Sequence, residues 1–99
     1  MYFVAIHDVK NPETAFPRGQ KLQVGEGAPA GTRALQFYPS TDASLVTCLW
    51  EGSDRASLQQ YVDETLGDSC VNTIYEVQAD QAFSERPLGL QAAPVGAVG

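Results

Sequence analysis

The residue best suited to chemistry in this chain is its single histidine, His7. An imidazole is the one side chain that titrates near neutrality without help, so it suits proton transfer. Two readings of it stand: an acid or base, or a buried interface histidine with its hydrogen bonds met. Glu76 is the second catalytic candidate. A carboxylate on a mostly buried sheet face has a raised pKa and suits a general acid; the alternatives are an ion pair with Arg33 or Arg55, or a place in solvent at the rim. Tyr38 and Trp50 are flat enough to stack on a planar ligand. Asn72 could orient His7 or bind a carbonyl oxygen. Cys48 lies between apolar residues, where a thiol behaves as a small hydrophobe. No cation stands near it to make a nucleophile. The expected site is therefore His7 and Glu76 for catalysis, with Tyr38, Cys48, Trp50 and Asn72 holding a ligand.

Several motifs fail. Gly25-Glu-Gly-Ala-Pro-Ala-Gly31 has the wrong spacing for a nucleotide loop and no strand–turn–helix around it. Gly67-Asp-Ser-Cys70 lacks the second glycine of a nucleophile elbow. One histidine and two distant cysteines give no zinc spacing, so no metal and no cofactor is expected. A metal shared by His7 from two chains is the only remaining metal arrangement.

The elements that would position these residues follow from pattern. Tyr2–Val9 is aromatic and β-branched, a strand. Asn11-Pro12-Glu13 starts a helix, but Pro17 and Gly19 predict only one or two turns, then a loop from Pro17 to Gly31. Arg33–Pro39 alternates as a second strand, and Pro39–Ala43 is a turn. Ser44–Glu51 is a third strand. Ser53 or Asp54 caps a helix reaching Leu66, with Leu58, Tyr61, Val62, Thr65 and Leu66 along one stripe and Gly67 at its end. Val71–Gln78 is the fourth strand. The domain spans 1–83, and 84–99 reads as a Pro-, Gly- and Ala-rich tail.

Sorting strand residues by parity gives two phases. One, with Tyr2, Val4, Ile6, Leu35, Phe37, Leu45, Thr47, Leu49, Val71, Thr73, Tyr75 and Val77, is almost wholly apolar and is expected beneath the helix. The other holds Phe3, Ala5, His7, Gln36, Tyr38, Val46, Cys48, Trp50, Asn72, Ile74 and Glu76. One good helix cannot cover both faces, so this mixed phase is expected to meet a second copy or a ligand.

The order β-(α)-β-β-α-β, with Cys-Leu-Trp-Glu at 48–51, the helix stripe and Asn72-Thr-Ile-Tyr-Glu-Val77, resembles the dimeric α+β barrel superfamily. That resemblance implies an α+β, ferredoxin-like domain with a four-stranded antiparallel sheet in the order 4-1-3-2 and a short or irregular first helix. It also implies a homodimer through the sheet faces. Relatives of that kind include cofactor-free monooxygenases, muconolactone-isomerase-like enzymes and small ligand-binding proteins. The expected function is binding of a largely apolar, aromatic small molecule, with cofactor-independent isomerisation, cyclisation or oxygenation using His7. The alternative is a non-catalytic ligand or metal sensor or interaction module, and a sealed structural dimer is a third class.

Composition sets the limits. At 43% apolar and 18% charged the chain is globular. A net charge of −6 with six scattered basic residues argues against nucleic acid and against anionic membranes as partners. No apolar run is long enough to span a bilayer, and no secretory signal is seen. Two cysteines are too few for a disulfide scaffold. The cytoplasm is the expected compartment.

Overall fold

A computed structural model describes residues 1–85. From residue 86 onward, the expected tail lies outside the described residues. The elements are β1 (Tyr2–Val9), α1 (Pro12–Gln23), β2 (Arg33–Pro39), β3 (Leu45–Glu51), α2 (Arg55–Leu66), a 3-10 turn (Gly67–Ser69) and β4 (Cys70–Glu76). The sheet is antiparallel with the order β2-β3-β1-β4. This is the ferredoxin-like arrangement: each helix links two parallel strands across the antiparallel strand between them.

The second helix forms from local signals. The Asp54 side chain accepts from the Ser57 amide at 2.8 Å, an N-cap that satisfies an otherwise orphaned donor. Gly67 ends the helix with φ 56°, and the Arg18 guanidinium donates to the Leu66 carbonyl at 2.9 Å. Leu58, Tyr61, Val62 and Leu66 are buried.

The first helix is longer than the sequence predicts. It runs for 12 residues straight through Pro17. Asn11 caps it by accepting from the Glu13 amide at 3.1 Å, and Pro12 fits the first turn. Pro17 removes one interior hydrogen bond and costs about 3 kcal/mol. Burial of Ala15 and Leu22, with Phe16 packed partly against the core, offsets that cost. Here tertiary packing overrides a local breaker.

The two sheet faces are exchanged relative to the parity expectation. Phe3, Ala5, His7, Val46, Cys48, Trp50 and Ile74 are buried and lie under the helices, whereas Tyr2, Ile6, Leu45, Val71 and Tyr75 are exposed on the open face. The reason is chemical. The outer phase includes Thr47, Thr73, Tyr2 and Tyr75, whose hydroxyls tolerate water. The inner phase pairs large Trp50 and Phe3 with small Ala5 and Cys48, which lets helices approach. Strand β2 is out of phase as well. Its pairing slips between Ala34 and Gln36, a bulge at Leu35 that puts both Ala34 and Phe37 on the helix side. Gln36 and Tyr38 consequently face outward.

Candidate functional site

His7 stands on β1 between Val46 of β3 and Asn72 of β4. It is 3% exposed. Its Nδ1 lies 2.7 Å from Asn72 Oδ1. The Asn72 amide donates in turn to Asp63 Oδ1 at 2.9 Å. Gln59, one turn before Asp63 on α2, donates to both Asp63 oxygens and to the Asn72 carbonyl at 3.1 Å. One face of α2 thus clamps β4 and holds the imidazole from behind. Among the described residues, His7 Nε2 is buried with no hydrogen-bond partner, and so is Trp50 Nε1. Buried polar atoms almost always have partners, so these two are exceptions.

Both residues line a part-enclosed cavity of about 40 Å³ between α1 and the sheet. Cys48, Phe37, Leu22 and Gly19 contribute to its apolar wall. That volume holds roughly three water-sized groups. Gly19 has nothing within 4 Å of where a Cβ would stand. The sequence marks this glycine only as a helix breaker, and nothing in the pattern says that it faces a void.

The other expected site residues are dispersed. Cys48 and Trp50 are buried in the cavity wall. Asn72 lies behind His7, outside the lining. Tyr38 faces the open side of the sheet, in a separate groove of about 650 Å³ that it shares with Tyr2, Leu49, Tyr75 and Phe83. Glu76 is exposed at the end of β4 and lines neither space. It does not pair with Arg33, which bonds Glu51 at 2.8 Å, nor with Arg55, which reaches Gln59 at 3.5 Å. The residues that the sequence analysis overlooked are Gln59 and Asp63. Their i, i+4 spacing is a recognisable signal, but only the docking of α2 on β4 turns it toward Asn72.

Electrostatics follow from burial. Burial pushes the Cys48 thiol up to about 12, which keeps it protonated and unreactive. Cys48 and Cys70 are both free and buried. Among the described residues, no three His, Cys, Asp or Glu side chains converge on a metal position, and no helix is long and apolar enough to cross a membrane.

Burial also lowers the His7 pKa from its ordinary 6.5, against the opposing pull of the Asn72 bond and the Asp63 charge. The fold therefore holds that proton less tightly than the unfolded chain does. Stability is complete above about pH 6.5 and falls as pH drops from there toward the folded value. Asp42, held down to about 2 by hydrogen bonds from Ser44 and then Ser40, loses its contribution only below the ordinary carboxylate range. Melting temperatures measured from about pH 7.5 to 5 should decline, and His7→Gln should flatten that decline. A wild-type curve level across this range would contradict the burial account.

No family model matches the sequence, and no curated protein matches it. Among solved structures the chain is similar to SCO4226 from Streptomyces coelicolor A3(2). The match has 21% identity and a TM-score of 0.56, covering 79% of this chain and 96% of that one. Likeness at that identity establishes the small α+β fold with its four-stranded antiparallel sheet and carries over no residue's role.

Proposed function

We propose that the protein binds a small, largely apolar, aromatic molecule between α1 and the sheet, with His7 as its polar contact. The observation that carries this reading is the His7 ring: buried, held on one side by Asn72, and unpartnered at Nε2 beside an apolar cavity. An enzyme built on this site would do cofactor-free proton transfer, in an isomerisation, a cyclisation or the oxygenation of an electron-rich ring. A ligand sensor would use the same contacts and release its ligand unchanged, and product analysis separates the two.

An aromatic ring exceeds the resting volume, so α1 must shift to admit one. The helix is suited to this, because Pro17 has already removed one of its hydrogen bonds. A melting screen against phenols and quinones tests the reading, since anything that binds the native state raises its melting temperature. His7→Ala should weaken any such shift. If turnover is found, His7→Ala should lower it by ~10²–10⁴-fold. No shift from any member of either class would count against the proposal.

Gly19 gives an independent check. Gly19→Ala should stabilise the protein by about 0.5–1 kcal/mol, because alanine favours helix and its methyl enters open space. Gly19→Leu should fill the cavity and abolish ligand shifts. Unchanged ligand shifts in Gly19→Leu would place the binding elsewhere.

We further propose a homodimer. Its contact surface is the open face bearing Tyr2, Ile6, Leu45, Val71 and Tyr75, a row of exposed apolar groups of the kind that marks interfaces. This surface is the reverse of the one expected from parity.

A further inference from the structure

The hydrogen-bond chain behind His7 has a direction. A carboxylate only accepts, so the Asn72 group facing Asp63 at 2.9 Å must be its NH₂. That orientation leaves Asn72 Oδ1 facing His7 at 2.7 Å. An amide oxygen also only accepts, so the proton between them belongs to His7 Nδ1. In a neutral imidazole the other nitrogen is then bare. Gln59 reinforces the arrangement by donating to Asp63 and to the Asn72 carbonyl, which holds both partners in place. Among the described residues the cavity lining contains no lysine or arginine, so no fixed positive charge there offsets an anion. A hydroxyl donating to His7 Nε2 can also accept from the unpartnered Trp50 Nε1–H.

We propose that Asp63 and Asn72 are positioning residues that fix the His7 proton on Nδ1. Nε2 thereby becomes an obligate acceptor, and the pocket selects a neutral hydroxyl-bearing molecule over an anion or an acceptor-only molecule. The ligand half of this inference rests on the pocket being a binding site. The tautomer half does not.

The tautomer can be read directly, because the chain has one histidine. Long-range ¹⁵N–¹H spectra of the labelled protein at neutral pH should show Nδ1 protonated and Nε2 bare. Asp63→Asn replaces the acceptor with a group that can also donate, so Asn72 is free to turn and Nε2-protonated ring should grow in. Asp63 is exposed, so this variant should melt close to wild type while its tautomer changes. Asn72→Ala should show the same redistribution. A wild-type ring protonated at Nε2 would overturn the assignment, and so would an Asp63→Asn ring identical to wild type.

Selectivity is tested with para-cresol, its isomer anisole, and benzoate. Leaving a buried polar atom unmatched should weaken anisole by roughly tenfold or more relative to cresol, with benzoate not binding. The cresol preference should shrink in Asp63→Asn. Equal binding of cresol and anisole would remove the selection while leaving the pocket as a binding site. Failure of all three to bind would remove the ligand half, leaving the spectra to decide the tautomer.

Discussion

Ile74→Lys is expected to destabilise the protein severely, while Tyr75→Lys beside it leaves the fold intact. The two residues are neighbours on β4 but point to opposite faces. Ile74 is 6% exposed beneath the helices and Tyr75 is 50% exposed on the open side. A lysine at 74 would stand beside Ala5 in the buried apolar cluster that also holds Phe3, Trp50 and Leu58. An uncompensated buried charge costs about 3–5 kcal/mol, set against a total stability of roughly 5–15 kcal/mol. Tyr75→Lys should change stability by no more than about 0.5 kcal/mol, as surface substitutions do. It should also shift a dimer toward monomer, by placing like charges across the proposed interface. Circular dichroism melts and sedimentation read both effects. A folded Ile74→Lys with wild-type melting would mean the faces are assigned wrongly. A wild-type monomer at low micromolar concentration would end the dimer proposal.

Leu58→Ala should cost about 2–5 kcal/mol in denaturant unfolding. Leu58 is 1% exposed, at the start of the α2 stripe that continues through Val62 and Leu66, and its removal leaves a hole against the sheet. Tyr61 next to it makes an edge-to-face contact with Trp50, with ring centres 6.1 Å apart. Its hydroxyl donates to the Glu26 carbonyl at 2.7 Å. These fixed neighbours limit how far the site can collapse, which favours the upper half of the range. A change below roughly 0.5 kcal/mol would mean that α2 buries another face.

What could be read from the sequence was local, and what could not was relational. The α2 boundaries were legible because Asp54 and Gly67 act on adjacent backbone. Strand order was legible because the ferredoxin-like connection admits few alternatives. The length of α1 was hidden, because Ala15 and Leu22 hold it from the sheet side despite Pro17. The buried face was hidden, because parity separates two phases without saying which is covered. Counting Thr and Tyr among the apolar residues then pointed to the wrong one. The slip at Leu35 is a pairing event with no clear residue signature. His7 and Asn72 could be placed together from strand order alone. Asp63 and Gln59 could not, since helix rotation over the sheet decides which polar side chain faces inward.

Strand β1 is central, which has a consequence for synthesis. Its neighbours are β3 and β4, so its first partner begins at Leu45 and its second at Cys70. At about 5–20 residues per second, some seventy residues take on the order of 4–14 s to follow β1 out of the ribosome. One edge of β1 can be met once β3 (Leu45–Glu51) has followed, but the other stays unmet until β4 arrives. Only the β2–β3 hairpin can close early, from neighbouring residues. β1 thus precedes both of its partners and is completed only by β4, which ties closure of this sheet to arrival of β4 and leaves Tyr2–Val9 open to pairing with another nascent chain in the meantime.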